Sequence, residues 1–308
     1  MQKFHHESTN ADHFWQDPQR QPIDDLCHQL ELRAHTKYPM ANFALCRAEL
    51  RGINLVNRSS KQGYQLTNSD LYRANLENAH LFKLDLSGSS LMKANFTHAN
   101  LHYANLSGCN LLGAKFTDAK IENVNWGACI LQEQQAAKAT TYVERIDFYE
   151  QAEEVYRNLR QTAENRGLFE TAGAFFCKEM VMRRKQMPKY SVQRILSKLV
   201  EYFCGYGEHP NRVIGFSILL ILLFAALYFF VGLSANGNIT AFDTSISPLE
   251  NTKHFFSALY FSVVTFTTLG YGDLVPIGIA RALAALEAFL GSFTLALFVV
   301  VFVKKMTR

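Results

Sequence analysis

The chain divides into two unlike halves. Up to about Arg212 the apolar positions are short and regularly interrupted, whereas most positions beyond it are apolar. The first half carries a strict interval of five. Leu66, Leu71, Leu76, Leu81, Leu86, Leu91, Phe96, Leu101, Leu106, Leu111, Phe116, Ile121, Trp126 and Leu131 keep one unbroken register. Two residues before many of them stands a small side chain: Ala74, Ala79, Ala94, Ala99, Ala104, Cys109, Ala114 and Ala119. An earlier series, Leu45, Leu50 and Leu55 with Ala48, is offset by one residue, and a loop around Asn57 to Gly63 absorbs the shift. A helix repeats at 3.6 and a strand at 2, so neither explains five. A four-sided coil does, because each side takes five residues and turns its large residue inward. Coils stacked at the strand spacing of about 4.8 Å would align Leu71, Leu91, Leu111 and Leu131 in one column. Leu66, Leu86, Leu106 and Trp126 would form another. The small residues follow from the narrow interior, which has no room for two large side chains on each side.

Residues 1–38 are polar and aperiodic, an arm with one short helix expected around Ile23 to Ala34. From Tyr142 the spacing changes. Tyr142, Ile146, Tyr149, Ala152, Tyr156, Leu159 and Ala163 fall on one helical face, and Gly167 breaks the run as a C′ residue would. Leu168, Ala172, Phe175, Phe176 and Met180 begin a second helix, giving an αα-hairpin over 140–188 that is similar to a single tetratricopeptide-type unit. The hairpin either binds a partner or, the preferred reading, packs on the end of the coil stack. A third helix, within 190–206, sets Val192, Ile195, Leu196, Leu199, Val200 and Phe203 against Arg194, Lys198 and Glu201, which suits an interfacial helix on a bilayer. Gly205-Tyr206-Gly207 ends it and redirects the chain.

In 211–308, Val213 to Leu233 is a 21-residue run without a charge, long enough to cross a hydrocarbon core of about 30 Å. Ala282 to Val303 is a second such run, with Glu287 as its only ionisable residue. Phe255 to Phe266, between them, is apolar but too short to span and reads as a re-entrant helix. Arg183, Arg184, Lys185, Lys189, Arg194, Lys198 and Arg212 precede the first span, and Lys304, Lys305 and Arg308 follow the second. The connecting segment carries only Lys253, so both termini are expected in the cytoplasm. Asn238-Ile239-Thr240 would be a sequon on the outer side.

Composition adds limits. A net charge of +4 over 308 residues argues against a nucleic-acid partner. Six cysteines without a C-x-x-C pair read as reduced thiols. Cys109 and Cys129, one coil apart, are either a redox pair or, the preferred reading, two small residues replacing alanine. A polar N-terminus without an apolar run argues against a cleaved signal peptide.

Residues 39–133 are similar to the pentapeptide-repeat proteins, which implies a right-handed quadrilateral β-helix. Some members imitate duplex DNA with an acidic face. Here Asp70, Glu77, Asp85, Asp118 and Glu122 are cancelled by Arg73, Lys83, Lys93, Lys115 and Lys120, so mimicry is disfavoured. Ser262 to Asp273, ending Thr268-Leu269-Gly270-Tyr271-Gly272-Asp273, resembles the pore loop of potassium channels. The residue chemistry points the same way. Dehydrating a small cation in a low-dielectric medium costs of order 20 kcal/mol, so a conducting loop must offer oxygens in place of water. An extended chain alternates its carbonyls, and glycines at alternate positions, Gly270 and Gly272, permit the left-handed values that align them.

The resemblance implies that Thr268, Leu269, Gly270 and Tyr271 hold K+ through carbonyls and the Thr268 hydroxyl, with Gly272 completing the filter. It also implies support from Thr267 and Asp273, and a homotetramer, since each chain has one loop. Leu269 stands where the common pattern has Val. Glu287 is a candidate support behind the pore helix, structural or functional in equal measure. Gly291 is a hinge candidate or a small residue at a helix crossing. Ser292, Leu295, Val299, Phe302 and Val303 share a face, and Val299, Phe302 or Val303 would close it as an apolar gate.

The expectation is a multidomain, non-enzymatic potassium channel in a plasma membrane, bacterial by preference. It has no voltage sensor and no organic cofactor, and an N-terminal domain that takes an unknown ligand or protein. The rivals are a non-selective cation channel and a membrane-anchored scaffold.

Overall fold

The computed structural model describes residues 12–20, 25–36, 38–235 and 237–307. The expectations placed on residues 1–11, on Ile23 and Asp24 and on Arg308 lie outside these. The chain forms two compact units, Met1–Arg194 and Ile195–Arg308.

The first unit is built on the repeat of five. Parallel bridges join Gln65 to Asp85, Asp70 to Ser90, Asn75 to Asn95, and so on to Asn105 with Asn125, each twenty residues apart. Every fifth residue from Arg73 to Asn123 has a left-handed backbone, including Lys83, Lys93, His98 and Tyr103 as well as Gly88, Gly108 and Gly113. Each coil therefore turns four times. The turns close with hydrogen bonds such as Ala74 N–H to the Leu71 carbonyl at 3.0 Å and Ala79 N–H to Leu76 at 3.1 Å. The large residues of the register are buried from Leu66 to Ile121, as are the alanines two positions before them. Along the outside, Asp85, Asn105 and Asn125 hydrogen-bond in a ladder at 2.9 and 3.0 Å.

The first series joins the same stack at a wider interval. Met40 and Ala41 (β1) pair in parallel with Leu66 and Thr67 (β2), and Ala44, Glu49 and Asn54 bridge to Asp70, Asn75 and His80, all twenty-six residues on. The six additional residues are taken up in the loop around Asn57 to Gly63. Gly63 crosses Lys83 so closely that a Cβ would lie 1.7 Å from its carbonyl oxygen.

Both ends of the stack are covered. Helix α1 (Leu26–His35) buries Leu30 and Ala34, and Trp15 stacks on Phe43 at 5.5 Å, so the polar arm is folded against the first coil over part of its length. At the other end the expected column stops early. The last bridge is at Asn125, and Leu131, in register by sequence, is instead the first residue of helix α2 (Leu131–Lys138). Cys129 is consequently half-buried rather than stacked at an inward coil position, while Cys109 is buried with its thiol donating to the Leu86 carbonyl at 3.0 Å. Burial pushes the Cys109 thiol up to about 12, which removes the thiolate a redox pair would need.

Helices α3 (Tyr142–Asn165) and α4 (Phe169–Gln186) form the hairpin, and their apolar faces share one core with the coils. Phe96 stacks on Phe116, Phe116 meets Trp126 edge-on, and Trp126 meets Phe175 edge-on at 5.8 Å. Arg166 binds Glu122 of the last full coil at 2.7 Å, and His102 Nε2 lies 2.8 Å from the same carboxylate. Burial alone would raise the Glu122 carboxyl, but the Arg166 hydrogen bond and the His102 and Arg166 charges hold it below its usual range. Between the two helices Glu153 and Glu179, both buried, are met by Arg157, Arg160 and Arg183.

The second unit contains all but the first turn of α5 (Val192–Cys204), then α6 (Pro210–Val231), α7 (Pro248–Phe266) and α8 (Ala280–Met306). Helices α6 and α8 are long and apolar enough to cross a membrane. A small antiparallel sheet, β4 (Asn238–Thr240), β3 (Leu233–Ala235) and β5 (Leu274–Pro276), joins the end of α6 to the segment after α7.

Candidate functional site

The site is the run from Thr267 to Asp273, held between the end of α7 and strand β5. Helix α7 starts at Pro248, seven residues before the expected Phe255, because Ser247 caps it by accepting from the Glu250 N–H at 3.3 Å. It ends in a hydrogen-bonding pattern that fixes the next two residues. Thr268 N–H donates to the Thr265 carbonyl and Leu269 N–H to the Val264 carbonyl, both at 3.0 Å, while Thr268 itself is left-handed with φ of 59°. The Thr267 hydroxyl donates back to the Val263 carbonyl at 2.7 Å.

Left-handed geometry then recurs at every second residue: Thr268 at 59°, Gly270 at 60° and Gly272 at 81°. The glycines were expected to take it; Thr268 was not. For a residue with a Cβ this conformation costs roughly 1–2 kcal/mol. Within one chain nothing lies within 4 Å of a Cβ added at Gly270 or Gly272. Glycine is required there by backbone angle and not by crowding inside the subunit. Leu269 and Tyr271 are exposed at 60% and 68%. Asp273 and Tyr271 face Tyr260 of α7. The pairing of β5 with β3, Ala235 opposite Leu274, fixes the far end of the run.

Behind the run three helices meet at one carboxylate. Glu287 of α8 is fully buried; the Tyr228 hydroxyl of α6 donates to it at 2.7 Å, and the Ser262 hydroxyl of α7 contacts its other oxygen. Ser262 also lies 2.9 Å from the Ile221 carbonyl of α6. Sequence reasoning named Glu287 but not its two hydroxyl partners, since nothing in their spacing distinguishes them from other residues of an apolar helix. One turn further along α8, a Cβ on Gly291 would stand 2.1 Å from the Phe266 carbonyl oxygen, and α8 is unbroken there. This geometry favours the small residue at a helix crossing. Ser292, Leu295, Val299, Phe302 and Val303 are all exposed on the single chain, away from the buried Glu287, Gly291, Thr294 and Val301.

Residues 216–308 match the family described as "Ion channel", and residues 65–97 and 94–125 match pentapeptide repeats, eight copies. Among known proteins, the chain is 34% identical over 83 residues to "Two pore potassium channel b" of Oryza sativa subsp. japonica, covering 27% of this chain and 21% of that protein. It is 38% identical over 89 residues to "Two pore potassium channel a" of the same plant, covering 29% and 22%. The chain thus spans about a fifth of the length of these relatives. Among solved structures, a pentapeptide repeat protein of the cyanobacterium Cyanothece is 30% identical over 25% of this chain and 58% of its own, with a TM-score of 0.12. One from the Arabidopsis thaliana thylakoid lumen is 26% identical over 28% and 67%, with a TM-score of 0.11. The chain carries pentapeptide repeats followed by an ion channel domain.

Proposed function

We propose that this protein is a potassium-selective channel assembled from four copies of the chain around the Thr268–Gly272 run. The observation that carries the reading is the alternation of left-handed residues at 268, 270 and 272 between two apolar helices. Alternating hand turns successive carbonyls the same way, and four such runs about an axis would stack rings of oxygens that replace a cation's water. The Thr268 hydroxyl gives the innermost ring, which accounts for a threonine kept in a strained conformation. Helix α7 is the pore helix, its C-terminal dipole directed at the conduction path. The two rice relatives are described as potassium channels, which supports the choice of ion.

Tyr228, Ser262 and Glu287 hold the outer, pore and inner helices in register behind the filter, and Thr267 and Asp273 support it at either end. Val299, Phe302 and Val303 are the gate candidates, which close by excluding water. The twenty-residue interval supports a right-handed quadrilateral β-helix in the first half. Its role is regulation or assembly through an unidentified ligand or partner. The basic residues before α6 and after α8 support cytoplasmic termini, and the exposed apolar face of α5 supports a place along the bilayer surface.

The test is flux through the purified chain in liposomes. Wild type should pass K+ and reject Na+ by bi-ionic reversal potential, and Gly270→Asp should pass neither. Equal permeability would make it a non-selective cation channel; no flux from wild type would leave a membrane-anchored scaffold.

A further inference from the structure

Between α5 and α6 the chain turns through Gly205, Tyr206 and Gly207, all left-handed at 55°, 57° and 82°. Two glycines take that conformation readily; Tyr206 does not, and its hydroxyl is tied to Ser197 of α5 at 2.9 Å. Helix α6 is bound to α5 as well. The Arg212 guanidinium donates to the Glu201 carbonyl at 2.9 Å, and Phe203 and Phe216 meet edge-on at 4.4 Å.

The other side of the elbow holds the end of α8. Cys204, Val213 and Val301 form a buried cluster, with Phe203, Leu297 and Phe298 packed on it. Beside it Lys304 Nζ meets Glu208 Oε1 at 2.7 Å across a separation of 96 residues, and the Glu208 side chain is only 6% exposed. The ammonium passes Gly207 at a distance that leaves 3.7 Å to a Cβ there. A carboxylate this buried is costly without its cation.

We infer that Glu208 and Lys304 form a clamp that couples α5 to the gate end of α8. Movement of α5 then reaches the inner helix directly, and not only through its covalent link to α6. The inference rests on the channel reading above. Lys304 follows the gate candidates Phe302 and Val303 at once, and α8 is continuous from Ala280 to Met306, so a displaced end moves them with it. Both clamp residues are positioning residues; neither touches the ion.

The experiment is a double-mutant cycle on the full chain in planar bilayers, using Glu208→Gln, Lys304→Met and the pair together. Each single change should shift open probability by about fivefold or more, and the double should depart from the product of the singles by a similar factor. Unit conductance and the K+/Na+ permeability ratio should stay at the wild-type values, which a general structural defect would not preserve. If Glu208→Gln fails to assemble, Lys304→Met and Lys304→Arg carry the test, because only loss of the charge should alter open probability. Singles within about twofold of wild type, or effects that multiply independently, would overturn the clamp. A wild type that passes no K+ would instead remove the channel reading, so the two failures are distinguishable.

Discussion

Two helix ends in this protein use the same hydrogen-bonding pattern with different residues. Helix α3 ends with Gly167 left-handed at 71°, its N–H donating to Glu164 and the Leu168 N–H to Ala163. Helix α7 ends identically, but with Thr268 in the glycine's place. Gly167 was legible in the sequence because glycine advertises the conformation. Thr268 stood out in the sequence as a filter candidate, yet its backbone angle did not, because threonine rarely takes it. Thr268→Gly should therefore keep the helix end and the assembly while lowering K+ selectivity, read as a reversal-potential shift toward Na+. At Gly291 the reason for glycine is contact with Phe266 rather than backbone angle. Gly291→Ala should displace α7 and destabilise the fold by about 1–3 kcal/mol or more, measured as a lower thermal midpoint. Glu287→Gln keeps one acceptor oxygen, for Tyr228, and turns its NH2 toward the Ser262 oxygen, which still donates to the Ile221 carbonyl, so the change should be mild. Glu287→Leu leaves the buried Tyr228 hydroxyl without its acceptor, at about 1–3 kcal/mol, while Ser262 keeps the Ile221 carbonyl.

Among the elements, the interval of five fixed the coils well because burial demands that register at every side. It failed where the stack ends. Leu131 satisfies the spacing but starts α2, since no further coil exists to cover it and the hairpin's Phe175 and Tyr156 take that place. The early start of α7 was hidden for another reason: its first turns are polar, and only Ser247, Pro248 and Glu250 signal it. The ion cluster of Glu153 and Glu179 was invisible, because the expected hairpin sets the two helices side by side without saying which charged residues meet. The junction of hairpin and coil carries its own prediction. Glu122 is held below its ordinary value, so its contribution is fully present above the unfolded carboxylate range and disappears as pH falls through the lowered native value. Thermal midpoints of wild type and Glu122→Gln should differ near neutrality and converge in acid; a constant gap across pH would contradict this. Within a coil, Leu101→Ala should cost about 2–5 kcal/mol by denaturant unfolding.

On the scale of the whole chain, the repeats and hairpin share one core, so a cut between them is unsound. Removing residues 1–140 would strip the cover from Val155, Tyr156 and Phe175, whereas removing 1–188 takes coils and hairpin away together. The shorter chain should still assemble and pass K+ while losing any response that the N-terminal unit confers. The central claim concerns four copies of five residues, and bi-ionic reversal potentials of the reconstituted wild type test it most directly. A strong preference for K+ over Na+, abolished with all current in Gly270→Asp, is the result predicted. Equal passage of the two ions, or current that survives the substitution, would contradict it.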